Sequence, residues 1–298
     1  MTTKKNGILR KSNLNMRIEL EEKTNIQRRL SNAERKAFSQ YNKVEEEELR
    51  FLHKYAKALE EHYDTLNELH EKYTIMCPLY TDLFDFIIGV HYKLSLQDDT
   101  LYVCFNILLD FLSKKTVSKS KLKLLGLGSL FIAVKYEEVE PSTLPVLMNA
   151  SETDFTSKEI IEAERYILKS IDYTLDFVNP LFFLRRASKA NGYELKSRTV
   201  AKYFLELMFL YREFYDFDSN VVASSAMFLA RKVTSEDIHR NLFFTYTKVD
   251  KSEMGECLKL LLDLLIKEPV HTELNNKYSK SKKHNTIKLV RNYLLKKE

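Results

Sequence analysis

Four charged side chains stand where an apolar pattern would otherwise continue: Lys135, Glu137 and Glu138 at the end of LLGLGSLFIAVKYEE (124–138), and Glu164, one turn from both Ile160 and Leu168. A carboxylate that interrupts an apolar stripe, and an ammonium that closes an apolar helix, are costly to desolvate unless they meet partners. Such residues can serve recognition, through charge-assisted hydrogen bonds to another chain, or stand as ordinary solvated helix-end charges. Residues for covalent work are scarce by comparison. There is no Gly-rich phosphate loop, no His-Glu-x-x-His and no Cys-x-x-Cys, and the seven histidines are scattered. His91 reads as a helix-surface residue rather than a base. Cys77, Cys104 and Cys257 lack metal-ligand spacing and suit reduced thiols in an intracellular protein.

The element that must position Lys135 is unusual. Gly126 and Gly128 lie inside an apolar helix, with Ser129 and Ala133 adding further small side chains. Each glycine costs about 1 kcal/mol relative to alanine, so a packing reason is expected: neighbouring helices press close on every side. The bulk composition agrees with helices throughout. In 298 residues there are only 6 glycines and 5 prolines, and apolar residues make up 44%, enough for a sizeable core. The net charge of +5 is mild and sits at the chain ends, so nucleic-acid binding is not demanded. The opening MTTKKNGILRKSNLN has no apolar signal core, and the longest apolar run, 124–134, falls far short of the roughly 20 residues that span a bilayer. The expectation is a soluble intracellular protein with no membrane partner, no cofactor and no metal.

Residues 1–42 read as a flexible polar tail, followed by a helical pattern over 44–73. Five helices are expected at about 79–94, 99–114, 118–139, 143–150 and 157–171, the last opened by a Thr156/Glu159 capping box. A second set follows at about 180–191, 196–211, 219–233, 237–244 and 252–266, with Pro180 in a first-turn position. Aligning Phe131 with Phe228, 97 residues apart, places Gly126, Gly128 and Ser129 on Ala223, Ser225 and Ala226, and Lys135 on Lys232. A small-residue central helix therefore occurs twice, which points to a tandem repeat of one five-helix domain. The expected organisation is a tail over 1–42, a first fold with its preceding helix over 43–176, a second fold over 177–270 and a basic, partly helical end over 271–298. The lysines of that end, Lys277, Lys280, Lys282 and Lys283, read as solvated charges.

AVKYEE followed by EAERYILKSIDYTL resembles the cyclin box, and FLRRASKANGYEL, TVAKYFLELMF and VVASSAMFLARK resemble the second box of B-type mitotic cyclins. LFDFI (83–87), DDTLYVC (98–104) and NNKYSKSK (275–282) are similar to the same class. The resemblance implies an all-α protein of two tandem cyclin folds, itself without catalytic activity. Such a protein binds and activates a cyclin-dependent serine/threonine kinase at the G2/M transition, in nucleus and cytoplasm. It also implies that Lys135 and Glu164 grip the kinase, within a surface formed by Tyr136, Glu137, Glu138, Leu168, Tyr173 and Leu175. The chain departs from the family in LYTDL (79–83), which replaces Met-Arg-x-Ile-Leu, and in Leu109, which replaces the aspartate that meets the arginine. Losing both partners of a buried pair strands no charge.

The same opening stretch carries the family's docking patch for Arg-x-Leu peptides, here Leu79, Asp82, Phe86, Gly89, Leu122 and Lys123. Asp82 charges the groove, Gly89 lacks the family's acid and Lys123 is positive, so weakened docking is expected. In the tail, Arg17, Leu20 and Asn25 match the destruction-box form Arg-x-x-Leu-x4-Asn, which implies a ubiquitin ligase as a further partner. Two other readings stand beside the kinase regulator: a cyclin-fold transcription scaffold, favoured by a basic groove between the repeats, and a transcription-associated cyclin, which would lack the B-type second box.

Overall fold

The computed structural model describes residues 62–65, 80–190, 193–235, 240–267, 271–280 and 283–295. Every extended element among them is a helix. The first five are α1 (Tyr80–Lys93), α2 (Asp98–Lys114), α3 (Leu122–Glu137), α4 (Leu144–Ser151) and α5 (Ser157–Ser170). The second five are α6 (Pro180–Lys189), α7 (Leu195–Phe209), α8 (Ser219–Thr234), α9 (Arg240–Thr247) and α10 (Lys251–Ile266), followed by α11 (Thr272–Tyr278) and α12 (Thr286–Leu295). The expected all-α tandem architecture is what the chain adopts. Local signals act as expected too. Thr156 and Glu159 form a reciprocal capping box at α5, and Asn179 caps α6 through the Leu181 amide, with Pro180 in its first turn. Tyr80 and Leu109, in the family's ion-pair region, are buried without a charge between them.

In the first fold α3 is the central helix. Its residues from Leu122 to Val134 are buried except Lys123 and Phe131. A Cβ on Gly126 would lie 2.7 Å from Leu83 and 2.9 Å from Ile87, both on α1. A Cβ on Gly128 would lie 2.8 Å from Ile167 and 3.3 Å from Ala163, both on α5. The glycines are therefore sites of close helix approach on two different sides. In the second fold α8 plays the same part, packed against α6, α7 and α10. Its ends fall 97 residues after those of α3 (219 − 122 and 234 − 137).

A polar seam joins the folds. Lys277 of α11 is only 2% exposed and donates to Glu206 Oε1 of α7 at 2.6 Å, while the Tyr278 hydroxyl donates to the same oxygen at 2.7 Å. Lys277 is thus an interior ion-pair partner, not the solvated lysine expected from its basic neighbourhood. His91 departs from expectation in the same way. It is buried, and its Nε2–H donates to the Gln97 carbonyl at 2.7 Å. Burial, reinforced by the Lys277 ammonium, pushes the imidazole pKa down to about 3, so the ring is neutral. On the first fold's side α2 presents Asp98 to Lys202 of α7, and Asp99 accepts from Asn179 Nδ2 at 2.6 Å. Burial opposes ionisation of Asp98, but the Lys202 ammonium outweighs it and holds the carboxyl at about 2.

Residues 62–65, all that is described of the preceding helix, rest on the second fold. Asp64 pairs with buried Arg186 at 2.7 Å and with Lys248 at 3.2 Å, and Tyr63 stacks on Phe182 at 4.3 Å.

Two stability tests follow from this packing. Gly128→Val should destabilise by about 1–3 kcal/mol through overpacking against α5. Gly255→Ala, at a helical site with open space around the new methyl, should stabilise by about 0.5–1 kcal/mol. Urea unfolding of both variants checks the contrast, and equal effects would refute the close-packing account. At the seam, Lys277→Met should cost about 3–5 kcal/mol because it strands the Glu206 charge. Adding Glu206→Gln should recover most of that loss, and thermal melts of the single and double variants measure it.

Candidate functional site: the face around Lys135 and Glu164

The last turn of α3 brings Lys135 to the surface beside Glu164 of α5, and the two form an ion pair. The Lys135 side chain is 42% exposed and that of Glu164 13%. The ammonium also lies 4.2 Å from the centre of the Phe131 ring, one turn back on α3. The pair is therefore held at the rim of the core, its lysine partly open to solvent and with donors to spare for an incoming acceptor.

The other residues of the expected surface differ in exposure. Tyr136 is 57% and Tyr173 69% exposed, while Leu168 and Leu175 are half-buried and pack against the core. Tyr173 owes its outward position to the backbone. Asp172 and Tyr173 are consecutive non-glycine residues with left-handed φ angles of 53° and 57°, closing α5 with a bond from the Tyr173 amide to the Leu168 carbonyl at 2.9 Å. Strain of this kind costs of order 1–3 kcal/mol per residue and gathers at functional surfaces. Glu137 is half-buried, and its pKa is raised first by burial and then by Asp99 and Glu138. Glu138 faces inward: its Oε1 accepts from the Gln97 amide at 2.8 Å and the Thr100 hydroxyl at 2.6 Å.

The docking-patch residues gather between α1 and the start of α3. Lys123 Nζ sits 5.1 Å from the centre of the Phe86 ring, Leu122 is buried, and Asp82 is exposed. Leu79 lies outside the described residues, as do the tail residues Arg17, Leu20 and Asn25. Gly89 has no acid of its own, yet a carboxylate is present. The Glu273 side chain of α11 covers Gly89, with Oε2 2.6 Å from where a Cβ would stand. α11 is held there by Asp85, which accepts from the Glu273 and Leu274 amides at 3.1 and 2.9 Å. Sequence reasoning missed Glu273 because 184 residues separate it from Gly89 (273 − 89). The local signal is slight: an acid in the first turn of a short helical segment.

Family models agree with this geometry. "Cyclin, N-terminal domain" matches residues 42–176, and "Cyclin, C-terminal domain" matches residues 178–292. The chain belongs to the cyclin family. Among curated relatives, this cyclin is 33% identical over 239 residues to G2/mitotic-specific cyclin-B of Emericella nidulans, covering 76% of this chain and 50% of that one. It is 35% identical over 231 residues to G2/mitotic-specific cyclin-2 of Saccharomyces cerevisiae, covering 72% and 47%. The chain thus spans about half the length of the curated relatives it matches. A viral cyclin from herpesvirus saimiri shares the fold, with a TM-score of 0.52 at 16% identity over 77% of this chain and 89% of that one.

Proposed function

We propose that this cyclin binds a cyclin-dependent protein kinase through the face centred on Lys135 and Glu164 and switches it on at the G2/M transition, performing no chemistry itself. The observation that carries the reading is the partly exposed ion pair, its ammonium over the Phe131 ring and the exposed Tyr136 next to Lys135 in the chain. A charged pair beside large apolar groups is the composition of an interface centre. Similarity to G2/mitotic-specific cyclins supports the timing. The energy for activation comes from tighter contact with the active kinase state than with the inactive one. The first fold holds the kinase's mobile helix inward, so that the kinase's own Lys–Glu pair forms and its activation loop opens. A transcription scaffold would be favoured by a basic groove between the folds. Two lysines of the described seam are instead paired with carboxylates, Lys202 with Asp98 and Lys277 with Glu206.

The docking groove is altered in this reading. Asp82 adds charge, Lys123 covers Phe86, and the acid comes from α11.

Lys135→Ala and Glu164→Ala should each weaken kinase capture by at least about 30-fold, the scale of an interface hot spot of about 2 kcal/mol. A pull-down with a kinase-activity readout measures this, and unimpaired binding and activation by the double variant refutes the assigned face. A fluorescence titration with an Arg-x-Leu peptide should show weaker binding than a typical cyclin gives, weakened further by Glu273→Gln. Typical affinity, or indifference to residue 273, argues against the altered groove.

A further inference from the structure

α2 begins without a cap of its own. Its N-cap residue, Gln97, makes no side-chain cap bond, although the first turn of any helix leaves backbone N–H groups without intrahelical partners. In a capping box the residue three positions into the helix is a Glu or Gln that reaches back to the N-cap amide, as Glu159 does to Thr156. In α2 that position is Thr100, too short to do so. Glu138 takes its place from the far end of α3, with one carboxylate oxygen accepting from both the Gln97 amide and the Thr100 hydroxyl. The box is thus shared between two helices, and Thr100, its inner member, is fully buried.

The location gives the box its consequence. Glu138 is the residue at which α3 ends, three positions beyond Lys135 and two beyond Tyr136. The neighbouring residues of α2, Asp98 and Asp99, are bound to Lys202 and Asn179 of the second fold. The end of α3 is therefore fastened to a helix start that is itself fastened to the other half of the molecule. Its direction at Lys135 and Tyr136 depends on that fastening.

We propose that Glu138 serves the kinase grip as a positioning residue, completing the cap of α2 and aiming Lys135 and Tyr136, rather than as a kinase contact. The proposal rests on the reading of Lys135 and Glu164 as the grip, and it adds Thr100 as a determinant of kinase affinity that cannot itself reach a kinase.

The test measures the affinity of the full chain for a mitotic cyclin-dependent kinase catalytic subunit, by calorimetry, for Glu138→Ala, Thr100→Val, the double variant and Glu138→Gln. Losing a cap bond should weaken binding by about 3- to 10-fold in each of the first two. The double variant should be no weaker than Glu138→Ala alone, because both changes break one unit. Glu138→Gln, whose amide oxygen accepts the same two bonds, should stay close to wild type. Wild-type affinity in Thr100→Val alongside a loss in Glu138→Ala overturns the proposal in favour of direct contact, as does a Glu138→Gln as weak as Glu138→Ala. Lys135→Ala, measured in parallel, separates the two readings: if it binds normally the grip itself is wrong, whereas if it fails while Thr100→Val binds normally only the positioning role is lost.

Discussion

At Gly128 the backbone of α3 lies so close to α5 that an added methyl would stand 3.3 Å from the Ala163 Cβ and 3.5 Å from the Glu164 amide nitrogen. That single approach governs the site. The glycine sits two helical turns before Lys135, and the atoms it meets belong to Ile167, Ala163 and Glu164 of α5. The distance between the two helices at the glycine therefore determines whether the ammonium and the carboxylate meet at the surface. The helix-propensity cost of about 1 kcal/mol for a mid-helix glycine is offset by the close approach of α5 and an ion pair in register. Gly126 does the same work toward α1, where the neighbours are the ends of Leu83 and Ile87.

The second fold uses the same plan for a different end. α8 has the length of α3 and carries Ala223, Ser225 and Ala226, all buried, where α3 has its small residues. At its C-terminus the charge turns inward. Arg231 is buried, donates to the Ser188 carbonyl and lies 5.7 Å from the Phe243 ring, while Lys232 is exposed. No KYEE follows. The two folds share the packing plan, and among the described residues the outward pair belongs to the first copy.

Local signals were readable from the chain in proportion to how local their causes are. Helix positions followed from apolar spacing, from the Thr156 cap and from Pro180. The glycines of α3 announced close packing because their cost requires a return within the same helix. Long-range pairings escaped. Lys277 sits in a basic run and looks solvated; only the folded chain brings Glu206 to it and to its neighbour Tyr278. His91 has a polar side chain on a helix, and nothing near it in sequence says that the Gln97 carbonyl and a buried seam will enclose it. Glu138 reads as part of a surface cluster, whereas its partners Gln97 and Thr100 come from the other end of a preceding helix. Glu273 restores a carboxylate beside Gly89 from the opposite end of the chain. In each case the sequence shows a charge or polar group, and the fold decides which way it faces.

The contacts of residues 62–65 set an order in time. Asp64 is held by Arg186 and Lys248, which follow it by 122 and 184 positions. During synthesis from the N-terminus, the first fold emerges complete before either basic partner exists, and domains generally fold as units as they appear. The ion pairs of Asp64 can therefore close only once the second fold has been made.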